Sequence, residues 1–253
     1  MRLPHPLYSL YERRLAASMP SASLPRHVGV ILDGNRRWAK SFGETAATGH
    51  RKGADKIAQF LGWAEEFGIE VVTLWMLSTD NLSRSEDELA DLLDIISDAV
   101  RDLAETRRWR LRIVGRLDLL PERLVGAVRE AAAATADVDG LHVNIAVGYG
   151  GRHEIADAVR SYLRAEQARG ATLAELAERL DVSDIADHLY TKGQPDPELV
   201  IRTSGELRVG GFLMWQSAHS ELYFCEAFWP DFRRVDFLRA LRDFSRRERR
   251  LGR

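Results

Sequence analysis

Apolar positions follow two rhythms along this chain. Five short runs with little polar interruption, at 28–32, 69–77, 110–115, 141–147 and 199–202, read as strands. The run 69–77 is nearly all apolar, as expected of a strand covered on both faces. Between the strands, apolar residues recur every three to four positions. Residues 53–67 place Ile57, Phe60, Leu61 and Ala64 at helical spacing and stop at Gly68. After Ser85 a second helix carries Leu89, Leu92, Leu93, Ile96 and Val100 on one stripe, and Glu88 three residues beyond Ser85 predicts a capping box. Pro121 opens a further helix, another starts near 152, two short ones fill 171–190 and a last one spans 235–250. Residues 7–17 read as a short amphipathic helix, joined to the rest by the Pro/Ser-rich stretch 19–25. The segments 212–216 and 222–225 are apolar, of a type the pattern leaves open.

Strands that alternate with helices predict an α/β fold with a mostly parallel sheet covered on both faces. There is no internal repeat and no long linker. The expected organisation is therefore an N-terminal helix and link, 1–25, followed by one domain, 26–253. In such sheets ligands gather beyond the C-terminal ends of the strands, so those ends are where chemistry is sought.

Composition narrows the classes. With 253 residues, 45% apolar and 29% charged, the chain suits an ordinary globular protein. A net charge of -2 gives no global basic field for nucleic acid. Lysine occurs only at 40, 52, 56 and 192, so positive charge is mostly arginine, whose planar fork suits phosphate oxygens. Cys225 is the single cysteine, which excludes an intrachain disulfide and predicts a cytoplasmic protein. No uncharged run approaches the ~18 residues of a spanning helix, and Arg13 and Arg14 interrupt the first apolar stretch where a signal core would lie.

Four strand ends carry polar residues unsuited to a plain core. The first is Asp33-Gly34-Asn35-Arg36-Arg37-Trp38: a carboxylate able to bind Mg²⁺, a glycine that lets backbone approach a phosphate, then two arginines at a helix start. The alternative is an Asp-Gly turn with solvated arginines. The second, Gly49-His50-Arg51-Lys52-Gly53, is expected just ahead of a helix, where its cations oppose the helix dipole and an anion would relieve the mismatch; a solvated loop is the plainer alternative. The third is Ser78-Thr79-Asp80-Asn81-Leu82-Ser83-Arg84, which a capping loop for the next helix explains only in part. The fourth runs from Arg202 through Thr203-Ser204-Gly205-Glu206-Leu207 to Arg208, Val209 and Gly210. Its two arginines flank a turn and suit a bidentate anion clamp, with Glu221 as a second metal carboxylate; a surface Arg–Glu pair is the alternative.

These blocks, in this order, resemble the cis-prenyltransferases, the family that includes undecaprenyl diphosphate synthase. Asn144 with Tyr149-Gly150-Gly151-Arg152, and Trp229-Pro230-Asp231-Phe232, match further family blocks, so the resemblance runs from about Arg26 to Arg250. It implies a six-stranded parallel sheet flanked by helices, a hydrophobic tunnel, a homodimer, and condensation of isopentenyl diphosphate onto an allylic diphosphate with a new Z double bond. On this resemblance Asp33 and Asn81 are the catalytic pair, Asp33 handling Mg²⁺ and diphosphate and Asn81 assisting proton removal. Gly34, Asn35, Arg36 and Arg37 cradle the allylic diphosphate, with His50 nearby and Trp38 either walling the tunnel or packing as a core aromatic. Ser78, Thr79, Asp80, Leu82 and Arg84 belong to the substrate site, Arg202, Arg208, Val209 and Gly210 hold isopentenyl diphosphate, and Glu221 completes the metal site.

Four departures matter. Ala46 stands where long-chain members carry an arginine, Gly210 where many carry a serine, Asp80 replaces a glutamate, and Leu82 replaces a tryptophan. Members that make Z,E-farnesyl diphosphate are similar at the last position, so the resemblance implies a fifteen-carbon product from geranyl diphosphate, with Leu82 stopping elongation in a packed interior. The alternatives are a medium- or long-chain synthase, an irregular member that couples two dimethylallyl units, and a non-catalytic partner subunit. The last should have lost Asp33, Arg202, Arg208 and Glu221, all present. An all-helical trans-type enzyme would need Asp-rich motifs that do not occur, and an Asp-nucleophile phosphatase a second acid where Asn35 stands. The basic run Arg246, Arg247, Arg249, Arg250 and Arg253 reads as a solvated helix end, with contact to an anionic membrane surface as the alternative.

Overall fold

A computed structural model of the chain describes residues 5–20 and 23–247. Six parallel strands form one sheet: β1 (His27–Ile31), β2 (Val71–Trp75), β3 (Arg110–Val114), β4 (His142–Ala146), β5 (Leu199–Arg202) and β6 (Glu221–Phe224), in the order β3-β4-β2-β1-β5-β6. The chain is thus a single α/β domain. Nine helices surround the sheet among the described residues: α1 (His5–Ala17), α2 (Asn35–Ser41), α3 (Ala46–Glu66), α4 (Glu86–Glu105), α5 (Glu122–Ala134), α6 (Gly151–Ala168), α7 (Leu173–Arg179), α8 (Val182–Ala186) and α9 (Arg234–Arg246). None is long and apolar enough to cross a membrane.

Side chains alternate across a strand, and register makes the two faces of this sheet unequal. Val28 and Val30, Val72 and Leu74, Val143 and Ile145, Leu199 and Ile201 fall in matching rows on one face. They form the large core with Ile57, Phe60 and Leu61 of α3, Leu92, Ile96 and Val100 of α4, and Phe237, Leu238 and Leu241 of α9. Each such fully buried side chain contributes about 1.5–3 kcal/mol through water exclusion. Leu15 and Met19 join the same core, so α1 docks against α9. The opposite face has a smaller apolar cluster, Ile31, Val114, Ala146, Val200, Tyr149, Phe212 and Leu213, edged by Trp75. Glu154 of α6 pins that cluster: its buried carboxylate accepts from Tyr149 Oη, from the Tyr190 amide (2.9 Å) and from Gln216 Nε2 (3.0 Å).

Two local expectations need correction, and two open segments are settled. The helix expected over 53–67 starts at Ala46, not Gly53, because Thr45 caps it through the Thr48 amide; His50, Arg51 and Lys52 therefore sit inside α3 rather than ahead of it. The capping box at Ser85 does not form. Glu88 is instead drawn to two arginines, Arg84 (3.0 Å) and Arg36 (3.4 Å). Of the two undecided segments, 222–225 supplies β6, while 212–216 is a run of turns ending in a 3-10 helix, Gln216–His219. Arg249, Arg250 and Arg253 lie outside the described residues.

Candidate active site

β1 and β5 are neighbours, with Ile31 opposite Arg202, so the residues just past them meet. Asp33 follows β1 by two positions. Its amide donates to Thr203 Oγ1 (2.9 Å), Thr203 Oγ1 donates back to the Asp33 carbonyl (2.7 Å), and the Trp229 amide also donates to that carbonyl (3.0 Å). The carboxylate is held by Arg202 Nη2 at 2.7 Å and by Arg37 Nη2 at 3.4 Å. Partial burial pushes the Asp33 carboxyl up, but hydrogen bonds from Arg202 and Ser204 and the charges of Arg202 and Arg37 outweigh it, so the group sits below its ordinary value and is ionised at neutral pH.

Gly34 turns the chain into α2 at φ 104°, and a Cβ there would lie 2.7 Å from the Phe228 ring. Only glycine adopts that backbone at little cost beside such a neighbour. α2 then rests directly on α3, because Gly49 and Gly53 leave a notch: a Cβ at 53 would fall 2.2 Å from Asn35 Oδ1, and one at 49 equally close to the Asn35 carbonyl. The notch aims Arg36 and Arg37 over the strand ends. Arg37 donates to Ser204 Oγ (2.6 Å) and Glu206 (3.1 Å). Glu206 also pairs with Arg208, so one carboxylate links both arginines.

The cleft built from these parts has a volume of about 690 Å³. Its mouth gathers six cations, Arg36, Arg37, Lys40, Arg84, Arg202 and Arg208, against three carboxylates, Asp33, Asp80 and Glu206. Its floor is apolar, formed by Ala54 and Ile57 of α3, Leu92, Ile95 and Ile96 of α4, and Met76. Trp75 makes one wall, stacked on Phe212 with ring centroids 5.2 Å apart. A polar end and an apolar end in one cleft suit an amphiphile with an anionic head.

Among the cleft-lining side chains three buried polar atoms have no hydrogen-bond partner: His50 Nε2, Asn35 Oδ1 and Arg202 Nε. Burial, with Arg84 next, holds the His50 imidazole at about 4, so it is neutral at pH 7 and offers a hydrogen bond rather than a charge. Burial and Arg36 lower the Arg84 pKa, though Glu88 offsets part of this.

The structure brings together on the cleft lining Asp33, Gly34, Asn35, Arg36, Arg37, His50, Ser78, Asp80, Asn81, Arg84, Arg202, Arg208 and Gly210. Five expected residues lie elsewhere. Trp38 packs on Phe42 with ring centroids 4.9 Å apart, and Thr79 sits beside Gly150 with its amide on the Tyr149 carbonyl. Leu82 packs against the large core, and Val209 against the small cluster. Glu221 is a correction of another kind. It starts β6 opposite Leu199, hence level with Val28, while Asp33 lies beyond Ile31, three residues further on. At about 3.3 Å per residue the two acids are more than ~10 Å apart, and Glu221 pairs with Arg247 instead. Among the described residues no three His, Cys, Asp or Glu side chains cluster to hold a metal. What fits a hard cation is the single ionised carboxylate of Asp33 at a mouth built for phosphate oxygens, which would complete its shell.

Glu206, Lys40 and Ile95 were not expected. Glu206 lies inside the fourth block, where the sequence assigns it no role, and Lys40 gives no local signal. Ile95 adjoins the stripe of α4 without belonging to it; an apolar residue that widens a stripe is a sign of a second buried surface.

Comparison with known proteins supplies the family. A family model described as "Putative undecaprenyl diphosphate synthase" matches residues 31–252. A (2Z,6E)-farnesyl diphosphate synthase of Thermobifida fusca is 61% identical over 98% of this chain and 97% of its own. A short-chain Z-isoprenyl diphosphate synthase of Mycobacterium bovis is 54% identical over 100% of this chain and 98% of its own. Among solved structures, lavandulyl diphosphate synthase from Lavandula x intermedia, crystallised with dimethylallyl diphosphate, superposes with a TM-score of 0.85 at 33% identity, covering 92% of this chain and 100% of that one.

Proposed function

The chain belongs to the undecaprenyl diphosphate synthase family, the cis-prenyltransferases, and we propose that it condenses geranyl diphosphate with one isopentenyl diphosphate to give Z,E-farnesyl diphosphate. The observation that carries the reading is the cleft itself, an arginine-lined mouth around an ionised Asp33 that continues into an apolar floor between α3 and α4. The 54–61% identity to short-chain synthases supports the product length.

In this reading the allylic diphosphate lies at the N-terminus of α2. The amides after Gly34 and the guanidinium groups of Arg36 and Arg37 take up the negative charge that grows as the allylic C–O bond breaks, in a site poor in water. Neutral His50, with its proton on Nε2, donates to it, since that atom has no other partner. Isopentenyl diphosphate is held by Arg202 and Arg208, with Gly210 leaving open room beside Trp75. Asp33, already fixed by Arg202, would hold Mg²⁺, which when bound neutralises diphosphate charge. Asn81 lines the cleft; its neutral amide orients the departing proton toward the released diphosphate or a water. Leu82 packs on the core that contains the floor residues Ile57, Leu92 and Ile96, and its proposed role is to limit elongation through that packing.

A cytoplasmic homodimer is the proposed working form. β6 is an edge strand with Leu222 outward, the side of the sheet open to a second copy; light scattering checks the mass. The structural likeness to a lavandulyl diphosphate synthase supports one alternative, coupling of two dimethylallyl units. Labelled isopentenyl diphosphate, given with dimethylallyl, geranyl and farnesyl starters in parallel, separates the readings. A fifteen-carbon product made fastest from the geranyl starter supports the proposal. Branched product from dimethylallyl diphosphate alone, or chains beyond twenty-five carbons, defeats it.

A further inference from the structure

A second groove, of about 1130 Å³, opens at the opposite end of the sheet. Register sets Arg110, His142 and Val71 in one row across β3, β4 and β2, and Arg112, Asn144 and Thr73 in the row two residues on. Arg110 and Arg112 therefore leave the edge strand β3 on the same face. It is the face that carries Trp75 and Arg202 at its far end. Arg129 of α5 enters the groove from another side, and Gln194 forms a wall. That wall is rigidly held: Asn144 Nδ2 donates to Gln194 Oε1 (2.7 Å) and to Thr73 Oγ1 (2.9 Å), and Thr73 Oγ1 bonds the buried His27 Nε2 (2.8 Å).

The charges in this groove do not balance. Glu70 and Glu65 line it, but Glu70 is committed to Arg26 (2.8 Å) and Glu65 to Arg108 (2.6 Å). Asp139 acts on His142. Arg110, Arg112 and Arg129 form no ion pair among the described residues. Arg112 is the decisive case. Among the described residues it is the only arginine short of full exposure that has no carboxylate partner, and its one hydrogen bond goes to the Lys192 carbonyl (3.1 Å). Burial alone lowers its pKa. The neighbouring His142 is lowered by burial and then by Arg110 and Arg112, with Asp139 opposing them, so the local field is positive. A half-buried cation without a counter-charge is costly unless something else supplies one.

We propose that this groove binds a diphosphate-bearing anion, with Arg112 as the recessed anchor and Arg110 and Arg129 as flanking contacts. Three uncompensated guanidinium groups call for more than one negative charge, and each fork pairs bidentately with phosphate oxygens. The diphosphate is either free or the head of an organic ester. The site shares no residue with the cleft, so the reading of the cleft stands or falls separately.

The test titrates inorganic diphosphate, geranyl diphosphate and ADP, each alone, into the full-length protein while the His142 imidazole is followed by NMR and binding by calorimetry. His142→Gln assigns the resonance. A bound anion beside His142 favours its protonated form, so its titration midpoint moves to higher pH. The same movement is expected in Arg202→Gln, in which the cleft is disabled. Arg112→Gln should lose the movement and weaken this binding by ~10-fold or more, Arg110→Gln should weaken it less, and Arg112→Lys should recover part. Turnover without added ligand is expected to be unchanged in Arg112→Gln. Movement with inorganic diphosphate identifies the free anion as ligand; movement with the esters alone identifies an organic one. If none of the three moves His142, or Arg112→Gln responds like wild type, the proposal is wrong.

Discussion

The two ends of the sheet solve opposite problems with the same side chain. At the cleft, Arg202, Arg37, Arg208 and Arg84 are each tied to an acid, through Asp33, Glu206 and Glu88. At the groove, Arg110, Arg112 and Arg129 are tied to none. Pairing at the cleft moderates the field and fixes geometry, which is what a reaction needs, because donors that are already oriented do not reorganise when charge develops. The groove keeps its charge uncancelled, which suits binding without chemistry. The contrast shows that counting arginines says little; the partners that hold them decide what they do.

The strongest way to break the contrast is at the acid that holds the cleft together. Asp33→Asn is expected to lower kcat by about 10²–10³-fold and also to lower the melting temperature, because it leaves the buried Arg202 without its counter-charge; a loss of kcat below tenfold would mean that the pairing of Arg202 is not essential. Next in size is a pH effect shared by both ends. Burial holds His27, at the groove end, and His50, at the cleft, at about 4. Below the ordinary value of 6.5 the unfolded chain binds protons that the folded chain refuses, so stability falls as pH drops from 6.5 toward 4. His27 accounts for about 3 kcal/mol over that window, and His27→Gln should flatten the denaturant midpoint plotted against pH.

Leu82→Ala sharpens the cleft end. It should cost about 2 kcal/mol, the low end for a leucine that is only partly buried, and should lengthen the product beyond fifteen carbons, read by chromatography of dephosphorylated products. An unchanged product with the expected loss of stability would leave Leu82 a packing residue. The smallest effect belongs to the groove: Arg112→Gln, which removes an unpaired charge, should leave the thermal midpoint unchanged or raise it by at most ~0.5 kcal/mol equivalent.

Strand positions and the parallel arrangement were readable because each buried strand is a short, nearly unbroken apolar run. Three of the four polar blocks were also readable, since each falls just beyond a strand and resists explanation as core; the block at 49–53 lies inside α3 instead. What escaped detection depended on tertiary competition. Glu88 looks like a capping residue until two arginines from elsewhere claim it. Glu221 looks like a metal ligand beside Asp33 until register shows it at the wrong end of its strand. The notch at Gly49 and Gly53 is invisible as sequence because its meaning lies in the helix that rests on it. Helix starts suffered similarly: Ala46, Ala47 and Thr48 lack the apolar period, and only the Thr45 cap marks the beginning.

The double tie between Asp33 and Thr203, and the bond from Trp229 to Asp33, join residues that are far apart in the chain: Asp33 and the Thr203 hydroxyl are 170 positions apart, and the Trp229 indole reaches the Gly53 carbonyl across 176. Contacts of such long reach form late, since the loop they close must be ordered first. A ribosome that has released only the first two hundred residues of this chain has therefore made β1, α2 and α3 but no working mouth. Activity appears only when the last quarter arrives, so turnover in a translation-arrest series would serve as a clock for completion of the fold.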